Sequence, residues 1–200
     1  MQRLVRRAYL LLFLLLLAGT RAEAQGIIPI AVEGRGAFAL PQGEWNDAEA
    51  LSNGFGYGFD IRLQVMPLIS IYGGWDTYSF DLEDIEDADA NDSGVHLGGQ
   101  LSLPLSGLTG VSPFAFAGLV FNQTEMAFEN NAVSLEVESD RGVGYELGAG
   151  LGFPFAPALT ITPQVRYRSH GADFPGVGEE EDEDVTVSYL SFEVGLKLGL

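Results

Sequence analysis

Apolar and polar residues alternate along most of the chain beyond residue 27. The pattern is clearest at the end of the chain. There the even positions are Leu190, Phe192, Val194, Leu196, Leu198 and Leu200, whereas the odd positions are Ser191, Glu193, Gly195, Lys197 and Gly199. A period of two places alternate side chains on opposite faces of a β-strand. Because no later stretch has a convincing helical period, the sequence predicts an all-β protein.

Eight strands can be delimited from this alternation and from the glycine and proline residues between them. They cover residues 28–40, 55–65, 68–80, 95–105, 113–128, 132–153, 158–170 and 185–200. The sixth strand, 132–153, keeps one phase throughout. In the fifth strand the phase is ambiguous. Phe114, Phe116 and Val120 occupy one face there, and Leu119 and Phe121 occupy the other.

The first 24 residues have a different character. Three arginines precede an apolar run at 8–18, and Ala22-Glu23-Ala24 supplies the small residues of a cleavage site, as in a secretory signal. About twelve apolar residues at 1.5 Å each reach about 18 Å, which is short of the roughly 30 Å hydrocarbon core of a bilayer. We therefore expect a signal peptide over residues 1–24 and a mature chain over residues 25–200.

Charge and hydrophobicity are segregated in this mature chain. The full sequence has a net charge of -18, yet 46% of its residues are hydrophobic. Residues 1–24 hold four of the ten basic and one of the 28 acidic residues, which leaves 27 acidic and 6 basic residues. Such acidity argues against nucleic acid as a partner, because phosphates would be repelled. The absence of cysteine excludes a disulfide scaffold and a thiolate metal site.

The connections between the predicted strands alternate in length. Long acidic connections at 41–54, 81–94 and 171–184 alternate with short uncharged ones at 66–67, 106–112 and 154–157. Bacterial membrane barrels have long outer loops and short periplasmic turns in this order. The fifth and sixth strands are together longer than a bilayer requires. We therefore expect their hairpin, around residues 129–131, to project above the membrane.

The signal segment, the eight alternating strands, the glycine-rich faces and the apolar final strand together resemble the OmpA/OmpX-like family of small outer-membrane barrels. The resemblance covers the mature chain, although such barrels usually end in Phe rather than Leu200. It implies an eight-stranded antiparallel up-and-down transmembrane β-barrel in the bacterial outer membrane, with a lumen filled by side chains. It also implies contact with outer-membrane lipid, lipopolysaccharide and the barrel-insertion machinery.

Ten charged residues point inward in this register. They are Glu33, Asp60, Asp76, Glu146 and Glu193, together with Arg35, Arg62, Arg166, Arg168 and Lys197. Charges in a narrow interior must be paired, or each costs several kcal/mol. Since these include five of the six mature basic residues, we predict a lumenal network of ion pairs that plugs the barrel. The alternative is a gated or ligand-lined channel that acts as a minor porin.

The acidic connections suggest a weaker chemistry. Residues 87–94 begin like a calcium loop, but Asp92 stands where an EF-hand has Gly and Gly98 where it has Glu. A solvated acidic loop is therefore favoured over a loose divalent site, and we predict no metal centre and no cofactor. The outer acidic residues together suit Ca²⁺ or Mg²⁺ that bridges to lipopolysaccharide, and they equally suit a saline habitat.

A lipid A-modifying enzyme is a further alternative. His170 follows Ser169 near the predicted outer rim, but the His-x-Ser arrangement of the barrel deacylases is absent because Ala172 occupies that position. We therefore expect no enzymatic activity.

Several aromatic residues lie near predicted strand ends, where barrels carry an interfacial girdle. They are Tyr57, Trp75, Tyr78, Phe80, Tyr145, Tyr167 and Tyr189. The rival fold is a soluble lipocalin-type barrel with the apolar residues inside. It is disfavoured because its outside would carry only about ten charges over eight strands, too few for a soluble surface.

Overall fold

The computed structural model describes residues 29–43, 51–82, 88–103, 110–130, 133–174 and 183–200. The predicted signal peptide and most of the 106–112 turn lie outside these residues. These described residues form nine strands: β1 Ile30–Pro41, β2 Leu51–Met66, β3 Ile69–Leu82, β4 Ala88–Ser102, β5 Ser112–Asn130, β6 Val133–Glu138, β7 Gly142–Ala156, β8 Leu159–Phe174 and β9 Glu183–Gly199. The described part of the chain contains no helix long and apolar enough to cross a membrane.

The sheet closes on itself with every pairing antiparallel. β1 pairs with both β2 and β9, so that Val32 lies opposite Ile61 on one side and Leu198 on the other. On the far side β4 pairs with β5, and β5 pairs with β7. Among the described strands, β6 pairs only with the outer end of β5. The predicted eight-stranded up-and-down barrel is confirmed, with β6 as an extension beyond it.

The sixth predicted strand does not keep one phase, and that prediction was wrong. The pairing with β5 shifts from Glu125 opposite Glu138 to Asn122 opposite Gly142. Three residues on the β6–β7 side thus face two on β5, which is a β-bulge that exchanges the two faces of the strand. At the bulge the Asp140 amide donates to the Asp173 carbonyl on β8, so the chain leaves the edge of β5 and enters the barrel.

The strands extend further on the outer side than the sequence predicted. β4 begins at Ala88, which pairs with β5, and residues 89–94 pair with both β3 and β5. The predicted calcium-like loop is therefore mostly strand, and its alternate side chains point to opposite faces. This part of β4 was not recognised as a strand in the sequence because its residues are acidic or small and give it no apolar face. The inner turns are short as predicted, with Pro67-Leu68 and Pro157-Ala158 between strands.

Side chains are sorted in the opposite way to those of a soluble protein. Large apolar side chains cover the outside, where Phe55 is 70% and Leu147 51% exposed, whereas Arg166 inside is fully buried. The ambiguous fifth strand follows the same rule, with Phe116 and Val120 inside and Leu119 outside. Such an outer surface is stable in hydrocarbon rather than in water. Because the large apolar side chains point outward, the lipocalin-type arrangement, which has them inside, is excluded.

The apolar belt has the height of a membrane core. On β7 it runs from Val143 to Phe153. Ten residue steps of about 3.3 Å, tilted by about 40°, give a height of about 25 Å, which matches the apolar band of membrane barrels. β5 and β6 pair above this belt up to Asn130 opposite Val133, as expected for the projecting hairpin.

The predicted aromatic girdle is only partly correct. Tyr57 and Tyr145 are exposed on the belt, and Trp75 packs edge-on against Tyr57 at 6.0 Å. Tyr78, Phe80 and Tyr189 are instead buried together inside the outer end of the barrel. Their positions in the alternation place them on the inner face. The alternation therefore predicted the location of these side chains better than their nearness to a strand end did.

Leu147→Arg tests the direction of the belt. Leu147 lies near the middle of the belt, so a guanidinium there should lower the free energy of unfolding in lipid vesicles by about 2–4 kcal/mol. Val143→Arg on the same face of β7, but at the edge of the belt, should cost about 0–1 kcal/mol. Urea titration of both variants measures the difference, and equal costs would contradict this placement of the membrane.

Candidate functional site in the lumen

The lumen is the candidate site because the inward positions of the strands converge there. Glycines provide the space for its large side chains. Gly148 lies opposite Phe116 on β5 and Arg166 on β8, and a Cβ at Gly148 would overlap the Phe116 ring. The Arg166 guanidinium carbon lies 4.8 Å from the centre of that ring. The glycine-rich inner face of β7 is therefore a requirement of packing.

Arg35 on β1 is the centre of the network. Its Nη1 lies 2.6 Å from Asp60 Oδ1 and its Nη2 lies 2.8 Å from Asp76 Oδ2. Its Nε lies 3.2 Å from Glu193 Oε2. One guanidinium thus connects carboxylates from β2, β3 and β9.

Arg166 and Arg168 on β8 form the second half. Arg168 makes a bidentate pair with Asp76 at 2.6 and 2.8 Å, and its Nη2 donates to Glu146 Oε2 at 2.8 Å. Arg166 lies 2.6 Å from the same Glu146 oxygen and 3.1 Å from Glu193 Oε1. Bidentate pairing fixes orientation as well as charge, because the planar guanidinium fork matches the carboxylate.

Arg62 closes the network toward the periplasmic end. Its Nε donates to Glu33 Oε2 at 2.8 Å and its Nη2 to Asp60 Oδ2 at 2.9 Å. The Thr162 hydroxyl donates to the other Glu33 oxygen at 2.6 Å. Arg62 Nη1 also donates to Gln100.

Uncharged hydroxyl groups donate further hydrogen bonds to the carboxylates of the network. The Tyr72 hydroxyl donates to Glu146 at 2.6 Å, and those of Tyr78 and Ser191 donate to Glu193 at 2.8 Å each. Buried carboxylates are tolerated when their oxygens are satisfied in this way.

Nine of the ten residues selected from the sequence lie in this network. The exception is Lys197, which lies at the periplasmic end and is within 4.0 Å of no carboxylate oxygen in the described part of the chain. His96 takes the place that the sequence analysis gave to Lys197. Its Nε2 lies 2.6 Å from Asp60 Oδ1 and its Nδ1 lies 3.4 Å from Asp76 Oδ2.

His96 is a further partner for carboxylates that outnumber the arginines. The network has the five acids Glu33, Asp60, Asp76, Glu146 and Glu193 against the four arginines Arg35, Arg62, Arg166 and Arg168. The signal for His96 was present in the sequence, because the alternation of β4 places it on the inner face. It was missed because only lysine and arginine were considered as partners for the carboxylates.

A second polar cluster fills the outer end of the lumen around Asp92. This carboxylate accepts from Asn122 and from the Tyr189 hydroxyl at 2.8 Å each, and lies 3.1 Å from His170 Nε2. Asp92 was predicted to be a loop acid, and that prediction was wrong because β4 continues past it. His170 was predicted to lie near the outer rim, and it is buried at the outer end of the lumen. Ser169 precedes His170 in β8, so their side chains point to opposite faces.

These groups are engaged with one another rather than with an open site. Within the described ranges, no three acidic or histidine side chains are arranged to hold a metal ion. The geometry supports a lumen filled by ion pairs, since each guanidinium contacts at least two carboxylates.

Comparison with solved structures places this geometry among outer-membrane barrels. Neisserial surface protein A is 12% identical, with a TM-score of 0.62 over 84% of this chain and 96% of that one. OprG from Pseudomonas aeruginosa is 11% identical, with a TM-score of 0.57 over 86% and 96%. A major outer membrane protein from Thermus thermophilus is 12% identical, with a TM-score of 0.55 over 85% and 99%. At these identities the likeness concerns the fold.

Sequence comparison supplies the family. None of the curated proteins compared with the chain matches it. The outer membrane protein beta-barrel domain family matches residues 10–198, which includes every strand except the final residue of β9. The protein therefore lies in the bacterial outer membrane, and the chain belongs to the outer membrane protein beta-barrel domain family.

Proposed function

We propose that this protein is a non-conducting barrel with a role in envelope structure and in surface interactions through its acidic outer segments. The observation that carries the proposal is the lumenal network of nine paired charged side chains. Each has a side chain at most 6% exposed.

The network reaches across the full width of the barrel. β3 and β8 are four strands apart in either direction around the eight-stranded ring, and Arg168 on β8 pairs with Asp76 on β3. Tyr72 on β3 donates to Glu146 on β7, three strands away. A solute moving along the axis would have to separate these pairs in a low-dielectric interior. Separation leaves buried charges without partners, at a cost of several kcal/mol.

The outer surface supports a role in binding cations. Two acidic pairs among the described side chains are directly opposed across neighbouring strands beyond the belt: Asp81 with Asp89, and Glu125 with Glu138. Like charges in such positions are destabilising unless cations screen them. Ca²⁺ or Mg²⁺ held at this surface would bridge to anionic lipopolysaccharide.

The strand pattern also supports a proposal for how the barrel is inserted into the membrane. The apolar face of β9, with Phe192, Val194 and Leu196 exposed outward, is the segment that the barrel-insertion machinery would engage. Outer-membrane lipid then covers the belt.

Conductance tests the closed lumen. The purified barrel in planar bilayers should give no steady current steps, because paired side chains fill the axis. The double variant Glu146→Ser/Arg166→Ser removes both partners of one ion pair, and it should show small steps of current. Steady ion-passing steps from the unmodified protein, or liposome swelling with sugars, would instead establish a minor porin.

Arg168→Met tests whether the plug depends on pairing. The substitution leaves Asp76 and Glu146 short of a cation and should lower the free energy of unfolding by about 3–5 kcal/mol. Arg141→Met removes the same charge from an exposed position between β6 and β7 and should change it by less than about 0.5 kcal/mol. Urea unfolding in lipid vesicles measures both. Similar small changes would show that the charges are not coupled.

Divalent cations test the outer surface. The urea midpoint should rise more in millimolar Mg²⁺ than in NaCl of equal ionic strength, since a divalent ion bridges opposed carboxylates. Glu125→Gln/Glu138→Gln should reduce that difference. If both salts act alike on the unmodified barrel, the acidic surface has no specific role in binding divalent ions.

A further inference from the structure

The periplasmic mouth of the barrel contains a cavity that the network leaves open. Its volume is about 330 Å³, and it lies between the ends of β1, β2, β3, β4, β5 and β9. We name it the periplasmic vestibule. Among its described lining residues, the charged side chains are those of Arg62 and Lys197, and no acidic side chain is present; Leu200, the last residue of the sequence, also lies in the lining. In a protein of net charge -18, a cavity whose charged side chains are both cationic is an exception that local chemistry must explain.

The two cations are not equivalent. Arg62 is engaged by Glu33 and Asp60 in the network above. Lys197 lies opposite Glu33 across the β1–β9 pairing, but the Glu33 oxygens are already occupied by Arg62 and Thr162. Lys197 therefore presents a charge without a carboxylate partner among the described residues.

Uncharged hydrogen-bonding groups line the same cavity. They are Ser70, Gln100, Ser102 and Ser112. Gln100 Nε2 donates to Ser102 Oγ at 2.9 Å, which leaves the Ser102 hydroxyl hydrogen to donate into the cavity. Hydroxyl groups both donate and accept, so this lining suits a ligand that carries hydroxyls beside an anionic group.

We propose that the periplasmic vestibule binds a small hydroxylated organic anion from the periplasm. Its phosphate or carboxylate pairs with Lys197, and its hydroxyls bond to the serines and Gln100. The volume lies at the small end of the range for ligand pockets, about 300–1,000 Å³, which suits a molecule of monosaccharide size. The site opens below the ion-pair network, so it does not depend on whether the lumen conducts.

The test uses glucose 6-phosphate, glucose and inorganic phosphate as probes on the barrel in lipid nanodiscs at low ionic strength. Calorimetry should show saturable binding of glucose 6-phosphate, weaker binding of phosphate and none of glucose. Lys197→Gln should weaken the binding of glucose 6-phosphate at least tenfold, because a charge-assisted contact is lost. Arg141→Gln, which removes the same charge at the outer end, should leave it unchanged.

Other results would overturn the site. They are an absence of saturable binding, equal losses in both variants, or equal affinities for phosphate and glucose 6-phosphate. The gel migration of unboiled protein shows whether each variant is folded. Ser102→Ala provides a second probe of the vestibule and should weaken glucose 6-phosphate more than phosphate, whereas equal effects would exclude the hydroxyl contacts.

Discussion

The structure depends on pairing buried carboxylates with guanidinium groups inside a barrel whose outside is hydrocarbon. With lipid on the outside, apolar side chains stabilise the outer face, so the lumen must take the polar ones. An eight-stranded lumen is narrow enough for side chains to fill. Arg35, Arg166 and Arg168 each join carboxylates from different strands, and the network connects walls that backbone hydrogen bonds join only through intervening strands.

The same constraint makes the two ends of the barrel different. Toward the outside, Asp92, Tyr189 and His170 contact one another above the ion pairs, and acidic strand extensions continue beyond the belt. Toward the periplasm, Glu33 is the outermost carboxylate of the described network, and Lys197 borders the vestibule. The ion pairs thus lie between an outer end with acidic side chains and an inner mouth with cationic ones.

The strand order and the direction of the side chains followed from the sequence because a period of two leaves only two faces, and only one of them is apolar. Strand limits were harder. Residues 88–94 are acidic and small, so no periodicity revealed that they form a strand, of which residues 89–94 pair on both edges. The bulge at Ser139–Arg141 exchanges the faces of a segment whose alternation in the sequence is unbroken, and it is set by hydrogen bonds to β5 and β8.

Alternation within single strands was enough to predict the barrel class, the outward apolar face and nine of the network residues, because these depend on local pattern and on the rule that buried charges occur in pairs. The partners of those charges became known from the closed sheet alone. Asp76 contacts Arg168 across the whole barrel, 92 positions away, and Asp60 contacts His96, which the sequence analysis had not included in the network. Those choices depend on strand register and on the curvature of the closed sheet, and neither is encoded in the alternation of one strand.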